Sequence, residues 1–333
     1  MVPFKIFIIR PPIIRGPSKL ARQKAMKSLS LPLKNKIKFS FIVISYNMSR
    51  EIHRTLTSLK RGYQWGIEGI EYEVLVVDNG SKPALTHSDI SQFGENFKLI
   101  SITPDEASPS PAKALNIGAK KARGEYICLM IDGAHLLTPG IIHYANLATK
   151  IYRQPIITPH YFFIGPGQQS VTTSGGYNQA KEDELLRSIQ WPKDGYKLFE
   201  IGEIIGETNR NWLMEKFECN CLFINKDTFF KHGMVNEAFS LPGGGLVNLE
   251  LYKRMIEKSN TTVVGLIGEG TFHQVHGGDT TNSSGKERAK KLKTYHAEYF
   301  NITGESYMRP KTNTQYLGHT PNIAAIKDAI NKT

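Results

Sequence analysis

Three polar clusters, each placed just after an apolar run, hold side chains that could meet a nucleotide: Ser45-Tyr46-Asn47, Asp78-Asn79-Gly80 and Asp132-Gly133-Ala134-His135. Asp78 can accept hydrogen bonds from an imide N–H or a ribose hydroxyl, and Asp132 can do the same or hold a cation beside phosphates. Neither GxxxxGK[ST] nor GxGxxG stands in the first turn, so phosphates would be held by a metal or by Lys rather than by a glycine nest. The plainer reading of a lone Asp at a strand end is a turn residue whose carboxylate binds its own backbone; two of them in register weaken that reading. Farther along, His273-Gln-Val-His276 sets two imidazoles three residues apart. The two glycines after His276 would let backbone approach a diphosphate, which favours His276 over His273. The competing reading is two loop histidines satisfied by neighbours. Glu250 and Arg254 have the i,i+4 spacing of a helix ion pair.

The elements that must position these groups are legible as apolar runs. Phe39–Ser45 is short, uncharged and β-branched, the pattern of a strand buried on both faces. Ile52, Leu56 and Leu59 recur at helical spacing after Ser49, a plausible N-cap, and Glu73–Val77 follows as a second strand. Phe97–Ile102, a helix from Pro111 to Arg123 and the strand Glu125–Ile131 continue the alternation. Such alternation predicts an α/β fold with a mostly parallel sheet and helices on both faces, with ligands outside the carboxyl ends of the strands. A helix is expected near Pro139–Tyr152, a loop-rich stretch over 155–180, a strand at Cys221–Asn225, helices at Lys226–His232 and Val247–Glu257, and a last strand at Thr261–Ile267. Residues 286–333 are expected to form a helix followed by an extended tail.

The 333 residues carry a net charge of +12, unevenly placed. Ten of the 42 Lys and Arg fall within residues 1–38, which hold no Asp or Glu, leaving 32 basic against 30 acidic residues in the rest. A basic arm on a nearly neutral body argues against a nucleic-acid-binding fold, and an arm of this kind can touch anionic lipid. Ile6–Ile14 is broken by Arg10, Pro11 and Pro12, so neither a spanning helix nor a secretory signal is expected. A cytoplasmic protein is expected, with membrane association open to it through the arm. Cys128, Cys219 and Cys221 read as reduced buried thiols. Tyr161-Phe-Phe163, Trp191, Tyr196 and Trp212 could form a platform for a sugar, although core packing is the commoner use.

Phe41–Asn47, Glu73–Ser81, Ser110–Gly118 and Ala122–Asp132 resemble, in order and spacing over roughly residues 39–145, the successive motifs of family 2 glycosyltransferases of the GT-A fold. The resemblance implies that Ser45 and Asn47 lie near the nucleotide base, that Asp78 binds uracil or its equivalent, and that Lys113 and Asn116 line the sugar-nucleotide site. Asp132 matches the first acid of the family's DxD motif. The sequence departs at Ala134, where the second, metal-binding acid would stand, so metal ligation would fall to Asp132 with His135 and His276, and the cation would be Mn2+ or Mg2+. Pro242–Arg254 resembles the second-half signature, with Asn248 at the usual catalytic Asp and Glu250 at the second acid. An amide cannot take a proton, so Glu250 is the expected base and Asn248 orients the acceptor hydroxyl.

What the resemblance implies is a glycosyltransferase that moves a sugar from a nucleoside-diphosphate sugar, a UDP-sugar, to an acceptor hydroxyl with inversion, in surface glycan or polysaccharide synthesis. The partners are that donor and a glycan or other hydroxyl acceptor, with a peripheral contact to anionic membrane and no nucleic acid. The expected organisation is a basic arm at 1–38, a GT-A domain at 39–285 with a nucleotide-binding half (39–145) and an acceptor-binding half (146–285), and a C-terminal helix and tail at 286–333. Two other classes compete: a catalytically degenerate relative that binds a sugar nucleotide or glycan, suggested by Ala134 and Asn248, and a membrane- or polyanion-binding module working through the arm.

Overall fold

A computed structural model describes residues 36–204, 212–213, 220–278, 283 and 285–320. The basic arm expected over 1–38 lies, up to residue 35, outside the described residues. Among the described residues ten strands build one sheet: β1 Phe39–Ser45, β2 Tyr72–Asn79, β3 Phe97–Ile102, β4 Tyr126–Met130, β5 His135–Leu137, β6 Ile156–Ile164, β7 Gly202–Ile204, β8 Leu222–Asn225, β9 Val263–His273 and β10 Gln315–Gly318. The path runs β10-β9-β6-β8-β4-β1-β2-β3, with β5 added to β9 and β7 to β6. The longer helices are α1 Ser49–Ser58, α2 Ala112–Lys121, α3 Ile141–Ile151, α4 Gln179–Ser188, α5 Val247–Ser259 and α6 Gly285–Thr303.

The uncharged run of β1 explains the layering. Successive side chains of a strand point to opposite faces, and here Phe41 and Val43 enter a core with Ile52 and Leu56 of α1 and Ile141, Ile142 and Ala145 of α3. Ile42 and Ile44 enter the opposite core with Leu115 of α2, Val247 and Leu251 of α5 and Tyr295 and Tyr299 of α6. Each fully buried Ile or Val is worth about 1.5–3 kcal/mol against exposure, so a sheet covered on both faces is what this sequence favours. Helix α2 lies hard against β1: a Cβ on Gly118 would come 2.5 Å from the Ile42 Cγ2 methyl.

The expected α/β sheet is present, but it is mixed. The pairs β1·β2, β1·β4, β2·β3, β6·β9 and β9·β10 are parallel, whereas β4·β8, β6·β8, β5·β9 and β6·β7 are antiparallel. The stretch expected to be loop-rich over 155–180 contains the nine-residue strand β6. Pro159, which cannot donate to a ladder, hid it, and the pairing with β9 accordingly shifts register between Thr158 and His160. The last body strand runs on through His273, and the expected extended tail contributes β10 as a parallel edge strand on β9. Among the described residues no helix is long and apolar enough to cross a membrane.

Candidate functional site

Parallel pairing brings the carboxyl ends of β1, β2 and β4 to one edge, with Ser45 opposite Asp78 and Val43 opposite Met130. β9 points the same way, because β8 is antiparallel to both β4 and β6 while β6 is parallel to β9. His273 therefore ends its strand on the edge where Asp132 follows β4. Asp132 is oriented by its own turn: Oδ1 accepts from the Ala134 backbone N–H at 2.8 Å, which turns Oδ2 outward. That turn needs a glycine at 133, since a Cβ there would stand 2.3 Å from the Ile44 carbonyl oxygen.

Oδ2 of Asp132 lies 2.9 Å from His276 Nε2 and 3.1 Å from His273 Nε2, and the two ring nitrogens are 3.1 Å apart. Asp132, His273 and His276 form a group with one potential ligand atom each, all within 4.8 Å of one another. Asp132 and His276, two of the expected ligands, lie side by side. His135 is not the third member. It sits opposite His273 in the β5·β9 pairing, its Nε2 is 3.0 Å from the Asn220 amide nitrogen, and its ring packs edge-on behind His273 at 4.9 Å. His273, the less favoured of the two later histidines, takes that place because the strand carries it to the edge.

Charge in the cluster is coupled. Burial pushes the Asp132 carboxyl up, but the charge of His276 and the polar contacts of both rings outweigh it and hold the carboxyl well below its usual range. Burial pushes both His273 and His135 below the ordinary imidazole value, most strongly His135. At His276 burial acts in the same sense, yet the Asp132 carboxylate prevails and raises it. A divalent cation fits this donor set. His273 Nδ1 faces Gln169 Oε1 at 2.6 Å, and an amide oxygen only accepts, so the ring proton belongs on Nδ1. A neutral His273 then turns an Nε2 lone pair towards an ionised carboxylate 3.1 Å away. A shared cation would relieve that repulsion, and donor atoms about 3 Å apart suit ligands about 2.0–2.2 Å from one ion.

The histidine loop is clamped by distant side chains. Gln169 Nε2 donates to the His273 carbonyl at 3.0 Å, Glu182 on α4 accepts from the Val275 N–H at 2.6 Å, and Gln274 Nε2 donates to the Glu51 carbonyl at 3.1 Å. Arg50 on α1 reaches the Val275 carbonyl and ion-pairs with Glu51, Glu182 and Asp183. Glu182 is fully buried, and burial, opposed by Val275 and Arg50, pushes its carboxyl up to about 7. Nothing in the spacing of Gln169, Glu182 or Arg50 marked them in the sequence.

At the other strand ends the side chains mostly bind their own turns. Asp78 is buried, and its two oxygens accept from the Ser81 N–H at 3.2 Å and the Leu85 N–H at 2.9 Å, the turn-forming alternative weighed for it. Asn47 adopts a left-handed φ of 53°, receives Lys82 N–H on Oδ1 and donates its own N–H to Ser81 Oγ. Ser45 Oγ and Asn79 Oδ1 are buried without a hydrogen-bond partner among the described residues. Buried polar atoms are otherwise almost always paired, which makes these two the edge's open positions; Asn79 was visible only as part of a turn.

Lys113 Nζ donates to the Glu106 carbonyl at 2.7 Å, and the Asn116 side chain is bonded to the Val235 backbone and to Glu237. Both tie α2 to neighbouring loops, and the structure does not gather them with Asp132. Glu250 has both oxygens on Arg254, at 2.5 and 3.1 Å, and Arg254 also holds the His232 and Met234 carbonyls. The helix ion pair, not a free base, is thus the arrangement seen. Asn248 lies two residues before Glu250 on α5. Phe162, Trp212, Phe199 and Phe272 pack as core, as do Trp191 and Tyr196 at its margin, and Tyr161 packs on His135, so they form no open platform. Cys128 and Cys221 are buried free thiols with sulfurs 3.7 Å apart, and Cys219 lies outside the described residues.

Residues 40–133 match the model of the family described as Glycosyl transferase family 2. No curated protein matches the chain. Among solved structures, that of S. aureus TarS is similar at 13% identity and a TM-score of 0.48, covering 80% of this chain and 40% of that one. S. aureus TarS 1-349 in complex with UDP-GlcNAc is similar at 13% identity and a TM-score of 0.48, covering 80% of this chain and 67% of that one. GalNAc-T7 with UDP, GalNAc and Mn2+ is similar at 13% identity and a TM-score of 0.44, covering 72% and 43%. The chain spans 40% of the length of the first of these.

Proposed function

We propose that the chain is a family 2 glycosyltransferase that moves a sugar from a nucleoside-diphosphate sugar, a UDP-sugar, onto a hydroxyl of a glycan acceptor with inversion, in the synthesis of a surface glycan or polysaccharide. The observation that carries the reading is the convergence of Asp132, His273 and His276 at the carboxyl edge of a family 2 segment. Asp132 Oδ2 and the Nε2 atoms of His273 and His276 would hold a divalent cation, Mn2+ before Mg2+ because two ligands are imidazoles. When bound, the ion stabilises negative charge developing on the diphosphate leaving group. Ser45 Oγ and Asn79 Oδ1 offer a hydroxyl and an acceptor for the base, and Asp78 holds the 81–85 loop beside them.

The test is a screen of nucleoside-diphosphate sugars for hydrolysis and for transfer to glycan acceptors, with Mn2+ and with chelator. Turnover of a UDP-sugar in Mn2+ is expected; turnover indifferent to chelator would remove the cation. One observation favours a second reading. Asn248 stands where a catalytic acid is usual and Glu250 is held on both oxygens by Arg254, as in a relative that binds the donor without transferring from it. Tight nucleotide binding with silence across all donors would select that reading. Contact with anionic membrane through residues 1–38 is the remaining proposal, read out by vesicle sedimentation with and without that arm.

A further inference from the structure

Gln169 is fully buried and outside every motif of the chain, yet it makes two bonds to a single residue. Its Nε2 donates to the His273 carbonyl at 3.0 Å, while its Oε1 lies 2.6 Å from His273 Nδ1. The first bond fixes the orientation of the amide, since the reversed amide would set its oxygen against a carbonyl oxygen. With the orientation fixed, only a ring that carries its proton on Nδ1 can satisfy the second contact. A neutral imidazole has one N–H, so its Nε2 must then present a lone pair. That lone pair is the atom 3.1 Å from Asp132 Oδ2 and 3.1 Å from His276 Nε2.

We propose that Gln169 is a positioning residue that locks His273 in the Nδ1–H form and so aims its Nε2 lone pair at the cation held with Asp132 and His276. The inference rests on the cation reading above for its purpose, though not for its geometry. Without Gln169, Asp132 Oδ2 would draw the ring proton to Nε2, and the atom needed for ligation would be masked by a hydrogen bond. Outer partners of metal-bound histidines act in this way, and losing one typically lowers metal affinity 10–100-fold. The neighbouring clamp makes the effect local, because Glu182 and Arg50 hold the loop at Val275 independently of Gln169.

The experiment uses the full chain with 15N-labelled histidine and reads imidazole nitrogen shifts, His273 being assigned with H273Q, alongside calorimetric titration with Mn2+ alone. In the metal-free wild type His273 is expected as the Nδ1–H form. Gln169→Leu is expected to shift it to Nε2–H or a mixture and to raise the Mn2+ dissociation constant about 10–100-fold. Gln169→Glu, which keeps the acceptor, is expected to keep the Nδ1–H form and to bind Mn2+ more tightly than Gln169→Leu does. A wild-type His273 protonated on Nε2, or a folded Gln169→Leu with unchanged form and affinity, overturns the proposal. Failure of the wild type to bind Mn2+ would defeat the cation reading instead, and the wild-type tautomer would still decide the role of Gln169.

Discussion

The two ends of the site are built differently. Where β1 and β2 end, Asp78 closes its own turn onto residues 3 and 7 positions on, and Asn47 bonds Ser81 and Lys82 34 and 35 positions away, so this end is assembled within one βαβ unit. Where β9 ends, Asp132 meets residues 141 and 144 positions away, Gln169 reaches across 104, Glu182 across 93 and Arg50 across 225. The first end is a set of turns that this one unit presents. The second exists only when α1, α4 and β9 have come together, so its geometry is a property of the whole fold.

The sharpest way to break that contrast is to cut the clamp. Glu182→Ala would strand the buried Val275 N–H and take one carboxylate from Arg50 and Arg54, which keep Asp183, and a buried donor left unpaired costs about 1–3 kcal/mol. Chemical denaturation is expected to show a loss of that order together with loss of Mn2+ binding; a loss below about 1 kcal/mol would mean that the helix and the histidine loop are not coupled. Asp78→Ala, at the local end, strands two backbone donors and should cost about 1–3 kcal/mol. Calorimetry with UDP is expected to show weaker binding there while Mn2+ affinity stays near wild type.

A pH titration separates the ends further. His276 is raised by Asp132 in the metal-free protein, so the stability it contributes is present below its unfolded value of about 6.5 and lost as pH rises through the folded one. Metal needs the neutral ring. The thermal stabilisation by Mn2+ is therefore expected to be small near pH 6 and larger near pH 8, with proton release on binding at the lower pH; a pH-independent gain would exclude His276 as a ligand. The smallest effect belongs to Arg123→Ala. Its side chain is 57% exposed, and Glu73 keeps Ser40 Oγ and the residue-123 N–H. Melting is expected to shift by no more than about 1 kcal/mol in stability, with nucleotide affinity unchanged.

The same contrast governed what could be read from the sequence. The apolar runs of β1, β2 and β4 and the acids at or just after the ends of β2 and β4 are local patterns, and the α/β alternation, the strand-end edge and Asp132 all came from them. β6 was missed because Pro159 interrupts an otherwise apolar strand, and the bulge that accommodates it cannot be seen in spacing. Of the histidines, His135 looked better placed than His273 only because it lies close to Asp132 in sequence. Pairing of β5 with β9 puts it behind the cluster instead. Lys113, Asn116 and Glu250 carried expectations taken from resemblance, and each is occupied by a structural partner. Gln169 had no signal at all, because two bonds to a residue 104 positions away leave no trace in composition or period.

On the proposed reading Asp132, His273 and His276 hold a cation that helps the edge bind a nucleoside diphosphate. Calorimetric titration of UDP into the wild type and Asp132→Asn, each in Mn2+ and in chelator, tests it most directly. Mn2+ is expected to tighten UDP binding to the wild type and to leave that of Asp132→Asn unchanged. Equal UDP affinity of the wild type in Mn2+ and in chelator would contradict it.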